Sequence, residues 1–237
     1  MLTVDAIDVA IEGSRILRGV SLEVGAREVV CLVGRNGAGK TTTLRAVMGY
    51  LRPHRGRIAF QGRDILGRPT HEIARLGIGW APEDSGIFAD LTVAENVEIS
   101  TWTRRGGRPA AERIALAYRV FPTLTRYRAR KGPQMSGGER KMLSIARALA
   151  LDPDLLLLDE PFEGLSPAII PAVAEGIAEI TALGRSILIA ESNIHHVPEF
   201  ADRLYVIERG AIIYAGRPDG IRDDAAAMRV IAGGGDR

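Results

Sequence analysis

Val29-Val30-Cys31-Leu32-Val33-Gly34-Arg35-Asn36-Gly37-Ala38-Gly39-Lys40-Thr41-Thr42 decides how the rest of the chain is read. An apolar run leads into the pattern Gly-x4-Gly-Lys-Thr, and Thr43-Leu44-Arg45-Ala46-Val47-Met48 continues as a helix. Buried strand, glycine loop and helix form the context a phosphate-binding loop requires. Glycines let backbone N–H groups curl around phosphate oxygens, where a Cβ would obstruct. The helix N-terminus adds free donors and partial positive charge. In this pattern Lys40 reaches the β- and γ-phosphates and the Thr41 hydroxyl reaches Mg²⁺.

The composition fits this reading. At 237 residues the chain suffices for one large domain or two intimate lobes. It is 46% hydrophobic and 25% charged, as expected of a globular protein in water. No apolar run approaches the ~18 residues of a membrane span. The start, Met1-Leu2-Thr3-Val4-Asp5, lacks a basic and then apolar leader, so export is not expected. The single cysteine, Cys31, falls in the apolar strand and reads as a small core residue. A formal charge of +2 is too small to argue for nucleic acid, and no nucleic-acid partner is expected.

Outward from the loop, residues 2–9 and 20–24 read as strands around a turn at Glu12-Gly13-Ser14. The helix after the loop should stop at Gly49. Arg57–Gln61 reads as a strand, Thr70 opens a short helix to Leu76, and Gly77–Ala81 reads as a buried strand. Thr92-Val93-Ala94-Glu95 is a capping box opening a helix at 93–102, and Pro109 suits the first position of another through Val120. Residues 104–108 form a basic glycine-rich loop, and 121–134 a connector carrying Arg126, Arg128, Arg130 and Lys131. Residues 84–150 therefore read as a helical lobe inserted into an α/β lobe of 1–83 and 151–237. Strands at 155–159, 186–190, 203–207 and 211–214 complete the α/β lobe. A helix at 167–183 lies among them, with Ser166 as cap, Pro167 at its first position, Gly184 as stop and a kink at Pro171. The tail 232–237 should fray.

Two further clusters carry chemistry. Leu155-Leu156-Leu157-Leu158-Asp159-Glu160 is an apolar run ending in two carboxylates, the signature of a strand covered on both faces. In a nucleotide-binding sheet its end lies beside the phosphate loop, which suits Asp159 to hold Mg²⁺ and Glu160 to polarise an attacking water. Two solvated acids at a strand end are common. With a phosphate loop about 120 residues upstream, that bland reading loses ground. Ser136-Gly137-Gly138-Glu139 opens the helix Glu139–Ala150, whose Met142, Leu143, Ala146 and Leu149 share a face. Taken alone it is a good N-cap; beside the loop it reads as a second anion site.

Together these residues resemble the nucleotide-binding subunit of an ABC transporter, over nearly the whole chain. The resemblance implies a P-loop ABC ATPase core with an antiparallel β subdomain and an inserted helical subdomain. It implies ATP and Mg²⁺, transmembrane permease subunits, and a second ABC ATPase subunit, identical or paralogous. A periplasmic solute-binding protein is implied indirectly, and so is a peripheral place on the cytoplasmic side of the inner membrane. ATP would contact Ile11, Gly34, Arg35, Asn36, Gly37, Ala38, Gly39, Lys40, Thr41 and Thr42. Mg²⁺ would fall to Thr41, Asp159 and Glu83. Ser136, Gly137, Gly138 and Glu139 would act on the ATP of the partner subunit.

Trp80-Ala81-Pro82-Glu83, Phe88–Asn96, Lys141–Arg147 and Glu163-Gly164-Leu165-Ser166-Pro167 narrow the resemblance. They are similar to subunits that drive uptake of branched-chain and other hydrophobic amino acids, whose relatives import amides or urea. Lipopolysaccharide-export ATPases share Ser-Gly-Gly-Glu-Arg and Asp-Glu-Pro-Phe. Three positions depart from the commonest family pattern. Ile11 stands where an aromatic stacks on adenine, Glu83 where a Gln couples to the permease, and Ser192 where a switch His is usual. Ser192 cannot carry an imidazolium charge, and His195 and His196 lie three and four residues later. Hydrolysis is expected to survive at a low rate through Lys40, Asp159 and Glu160. Two alternatives are a non-transport ABC ATPase acting on nucleic acid or ribosomes, and a regulatory subunit with little turnover. An export-type ATPase is a third.

Overall fold

The computed structural model describes residues 1–104 and 107–231. They form two compact units: Met1–Thr70 together with the chain from Ser186 onward, and His71–Arg185. The first unit opens with β1 (Leu2–Ile11), β2 (Ser14–Val24), β3 (Val29–Val33), α1 (Lys40–Val47), β4 (Arg55–Phe60) and β5 (Arg63–Asp64). The second contains α2 (Thr70–Leu76, its first residue at the boundary), β6 (Ile78–Ala81), α3 (Val93–Ser100), α4 (Ala110–Val120), α5 (Gly137–Ala150), β7 (Leu155–Asp159) and α6 (Ile170–Ala182). The chain then returns to the first unit with β8 (Ser186–Glu191), β9 (Arg203–Glu208), β10 (Ala211–Gly216) and α7 (Ala225–Ile231).

In the first unit, β1 pairs antiparallel with β2 on one side and β4 on the other, and β5 extends β4. Both strands of the opening hairpin are longer than expected. The register of β1 shifts between Val4 and Ile7, where Ala6 takes a φ of 45°. That bulge breaks the alternation: Leu2 and Val4 are buried with exposed neighbours, whereas Ile7, Asp8 and Val9 are buried in succession. A second sheet places β3 between β8 and β9, parallel to both, and β10 pairs antiparallel with β9. Every residue of β3 is buried, which is why its sequence is an unbroken apolar run. Cys31 lies within it, and burial raises its thiol pKa well above the ordinary value, leaving it unreactive.

In the second unit, β6 and β7 run parallel, with Ala81 opposite Leu158. The helix α5 packs on α3, α4 and β6. One buried face was expected of it, but Lys141, Ser144, Ile145, Ala148 and Ala150 are buried as well as Met142, Leu143, Ala146 and Leu149. It is the central helix of its unit, wrapped on several sides. Gly176 of α6 receives Phe121: a Cβ there would lie 2.4 Å from the ring.

Several boundaries differ from the sequence reading. α6 starts at Ile170 rather than 167, so Pro171 occupies its first turn and produces no kink. Ser166 is outside the helix, its carbonyl accepting from the N–H groups of Ile169 and Ile170. Pro109 is the N-cap of α4 rather than its first residue. The connector holds 3₁₀ turns at Pro122–Tyr127 and Gly132–Gln134. Two of its basic side chains stack on rings, Arg128 over Tyr118 at 4.5 Å and Arg130 over Tyr127 at 4.3 Å. β5 and α7 were not anticipated. Part of the basic loop, 105–106, and the tail expected to fray lie outside the described residues.

Candidate functional site

The phosphate loop of the first unit is built as its sequence requires. β3 ends at Val33, and the Gly34 N–H donates to the Glu191 carbonyl at 3.2 Å, joining the loop to the end of β8. Gly39, at φ 116°, is the N-cap of α1. A Cβ on Gly34 would lie 2.3 Å from the Ile207 carbonyl oxygen, and one on Gly39 would lie 2.7 Å from Leu17 Cδ2. Gly37 has open space around it but a φ of +81°. Two glycines are therefore fixed by close approach and one by backbone conformation. Arg35, Asn36 and Gly37 form the exposed rim, Ala38 and Gly39 are buried, and Thr41 and Thr42 are half-buried.

Lys40 is 4% exposed. Its Nζ donates to the carbonyl oxygens of Gly34 at 2.7 Å and Arg35 at 3.2 Å. The ammonium thus lies inside the curl of its own loop, where a phosphate would be recognised. The Thr43 hydroxyl donates to the Gly39 carbonyl at 2.9 Å and secures the first turn.

Gly210 was missed in the sequence. Its N–H donates to the Ala38 carbonyl at 2.9 Å, and its own carbonyl accepts from Arg18 N–H at 2.8 Å. It lies in the β9–β10 turn, at φ +81° after Arg209 at 46°, a pair typical of a tight hairpin. A Cβ at Gly210 would lie 2.0 Å from the Ile16 carbonyl oxygen. An Arg-Gly pair between two apolar strands signals the turn, but nothing in it points to the loop.

Ile11 ends β1, opposite Ser14, and is 38% exposed, so it can offer apolar contact but no aromatic face. Ser192 follows β8 directly and is half-buried. His195 is exposed, and His196 does not substitute at the Ser192 position: its Nδ1 lies 3.1 Å from Oε2 of the fully buried Glu191.

The second unit gathers the acidic residues. Asp159 and Glu160, 1% and 3% exposed, sit at the C-terminal end of β7. Parallel pairing of β6 with β7 brings Glu83, two residues beyond β6, to the same end. Glu160 takes a φ of 47°, the left-handed region, which re-aims the chain just after the strand. Lys141 of α5, 5% exposed, donates from Nζ to the Glu83 carbonyl at 2.7 Å and to the Glu160 carbonyl at 2.9 Å. The hydroxyl of Thr41 and the carboxylates of Asp159 and Glu83 are hard oxygen donors, the chemistry Mg²⁺ takes.

The Ser136 segment opens α5 with a complete capping box. Ser136 Oγ accepts from the Glu139 N–H at 3.3 Å, and Glu139 Oε2 accepts from the Ser136 N–H at 2.7 Å. Ser136 and Gly137 are exposed. Gly138 packs on Ile169, which a Cβ would approach to 2.7 Å. The Gly137 and Gly138 N–H groups stand at the positive end of a fourteen-residue helix.

The ABC transporter family model matches residues 17–163. The lipopolysaccharide export system ATP-binding protein of Acidithiobacillus ferridurans is 38% identical over 220 residues, covering 92% of this chain and 90% of that protein. Its namesake in Haemophilus influenzae is 35% identical over 234 residues, covering 98% and 97%. Among solved structures, the ADP conformation of an ATP-binding cassette of an ABC transporter matches with a TM-score of 0.84 at 27% identity, covering 98% of each chain. The named relatives carry the export name, not an amino-acid-uptake name. With the loop, the carboxylate pair and the Ser-Gly-Gly helix start in place, the chain belongs to the ABC transporter family as its ATP-hydrolysing subunit.

Proposed function

We propose that this chain powers a membrane transporter by closing on ATP against a second cassette and opening after hydrolysis. Gly34–Gly39 wrap the phosphates with backbone N–H groups, Arg35, Asn36 and Ala38 forming the intervening turns. Lys40 exchanges its loop carbonyls for phosphate oxygens. Thr41 and Thr42 present hydroxyls and N–H groups at the start of α1. Thr41, Asp159 and Glu83 would hold Mg²⁺, which would supply positive charge against the phosphates. Glu160 orients and polarises water. Ser136, Gly137, Gly138 and Glu139 meet the ATP of the partner cassette, Ile11 gives adenine an apolar contact, and Ser192 fills the switch position without charge. In this reading 84–150 acts as the helical lobe that docks on transmembrane permeases, holding the chain peripherally at the membrane.

The observation that carries the hydrolytic reading is Glu160, buried at the end of β7 with its backbone turned into the left-handed region. Glu160→Gln should lower steady-state ATPase turnover by about 10²-fold or more while leaving ATP binding intact. Unchanged turnover would remove Glu160 from that role.

For the cargo, the wording around Glu83, Lys141–Arg147 and Glu163–Pro167 supports inward transport of branched-chain or other hydrophobic amino acids, or of amides or urea. A periplasmic binding protein would then deliver the solute. The 35–38% identity to lipopolysaccharide-export ATP-binding proteins favours a second reading, outward transport of a lipid-linked saccharide. Deleting the reading frame separates them: loss of radiolabelled leucine uptake supports import, and lipopolysaccharide held at the inner membrane supports export.

A further inference from the structure

Lys141 joins three segments that the sequence treats separately. It lies one turn into α5, the helix opened by Ser136. Its ammonium, in a side chain 5% exposed, bridges the main-chain carbonyls of Glu83 and Glu160, 2.7 and 2.9 Å away. Glu83 belongs to the loop after β6, and Glu160 follows β7. The same helix also grips the far end of the Glu83 loop. Arg147 Nη1 donates to the Gly86 carbonyl at 2.6 Å, and its guanidinium lies over the Phe88 ring at 5.2 Å.

Burying an ammonium is costly unless its donors are used, and here two of them are spent on main-chain oxygens of functional loops. Glu160 needs such an anchor, because an L residue at φ 47° is disfavoured unless its surroundings hold it there. We infer that Lys141 is a positioning residue for hydrolysis. It fixes the Glu160 backbone, and hence the direction of its carboxylate, and makes that direction depend on where the Glu83 loop lies. Displacement of α5 or of the Glu83 loop therefore moves the Glu160 backbone through a single ammonium. Lys141 touches neither water nor phosphate in this account; it acts through Glu160.

The inference rests on the reading of Glu160 as the group that polarises water, so the two are tested together. Steady-state ATPase kinetics and binding of a fluorescent ATP analogue are measured on the full chain and on Lys141→Met, Lys141→Arg and Glu160→Gln. Lys141→Met keeps length and apolar stem but removes all three donors. Its kcat should fall at least about tenfold, as expected when a reacting group is misaligned, with KM and analogue affinity within about threefold of the parent. Lys141→Arg should recover most of the kcat, since a guanidinium can still donate to both carbonyls. A purely structural lysine would instead lower the active fraction and thermal midpoint without this split between kcat and KM. If Lys141→Met does not fold, Lys141→Leu, likewise apolar and without donors, is read by the same criteria. Parental kcat in a folded donor-free variant, while Glu160→Gln is impaired, overturns the role of Lys141 alone. Parental kcat in Glu160→Gln overturns the reading beneath it.

Discussion

The Nζ of Lys40 lies 2.7 Å from the Gly34 carbonyl oxygen, so the cation of the phosphate loop is bound by the first residue of the same loop. That contact, with a second to the Arg35 carbonyl, ties the buried ammonium to the curl of the loop. A phosphate then replaces carbonyl dipoles with full negative charge. Lys40→Ala should therefore reduce turnover by about 10²-fold or more, and weaken binding of an ATP analogue by a larger factor than binding of adenosine. Equal weakening of both ligands would contradict this role.

The loop glycines should not be equivalent. Gly34→Ala forces a Cβ to within 2.3 Å of the Ile207 main-chain oxygen, which cannot rotate away. Gly37→Ala meets no atom within 4 Å and bears only the cost of φ +81°, about 1–2 kcal/mol. Thermal unfolding and ATP-analogue titration should rank Gly34→Ala below Gly37→Ala in both stability and affinity.

Ser192 sets a third test. It stands immediately after Glu191, whose carbonyl accepts from the Gly34 N–H, so a longer side chain there starts at the edge of the phosphate loop. Ser192→His should raise ATPase turnover or leave it unchanged. His196→Ala should not lower turnover through loss of a switch, because the Glu191 carboxylate already engages that imidazole. A tenfold fall in Ser192→His, on the scale of a lost general acid–base contact, would show that Ser192 is not the switch position.

Acid should weaken the second unit at Asp152. Burial opposes its ionisation, but the Arg108 N–H and the charges of Arg185, Arg108 and Arg104 outweigh it and hold the carboxyl below its ordinary pKa. A folded pKa below the unfolded one contributes stability above the unfolded value, about 3.9, and loses it as pH falls toward the folded value. Melting curves from pH 6 to pH 3 should show a smaller acid-induced drop for Asp152→Asn than for the parent, from a lower starting point at pH 6. Parallel curves would exclude Asp152 from the acid response.

What was legible in the sequence was local. The loop, the capping box at Thr92, the helix cap at Ser136 and the β7 run into Asp159 are each written within a few neighbours, and the backbone follows them. The bulge at Ala6 was hidden because it merges two alternating patterns of opposite phase. The start of α6 was misplaced because Ser166-Pro167 satisfies the rules for a helix cap, while the chain continues through turns before the helix begins. Lys141 and Gly210 were invisible as site residues for a different reason. Lys141 spends its donors 58 and 19 residues away, and Gly210 supports a loop made far earlier in the chain. Pairings at such separations leave no periodic trace.

The position of Gly210 also bears on synthesis. The loop strand β3 is flanked by β8 and β9, and Ala38 is anchored by the turn that follows them. These partners leave the ribosome about 150 residues after the loop, a delay of roughly 10–30 s at ordinary elongation rates. The unit His71–Arg185 is contiguous and is synthesised during that interval. A nascent chain should therefore stay blind to ATP through the synthesis of the whole second unit, and nucleotide should begin to protect it from protease only after Gly210 has emerged.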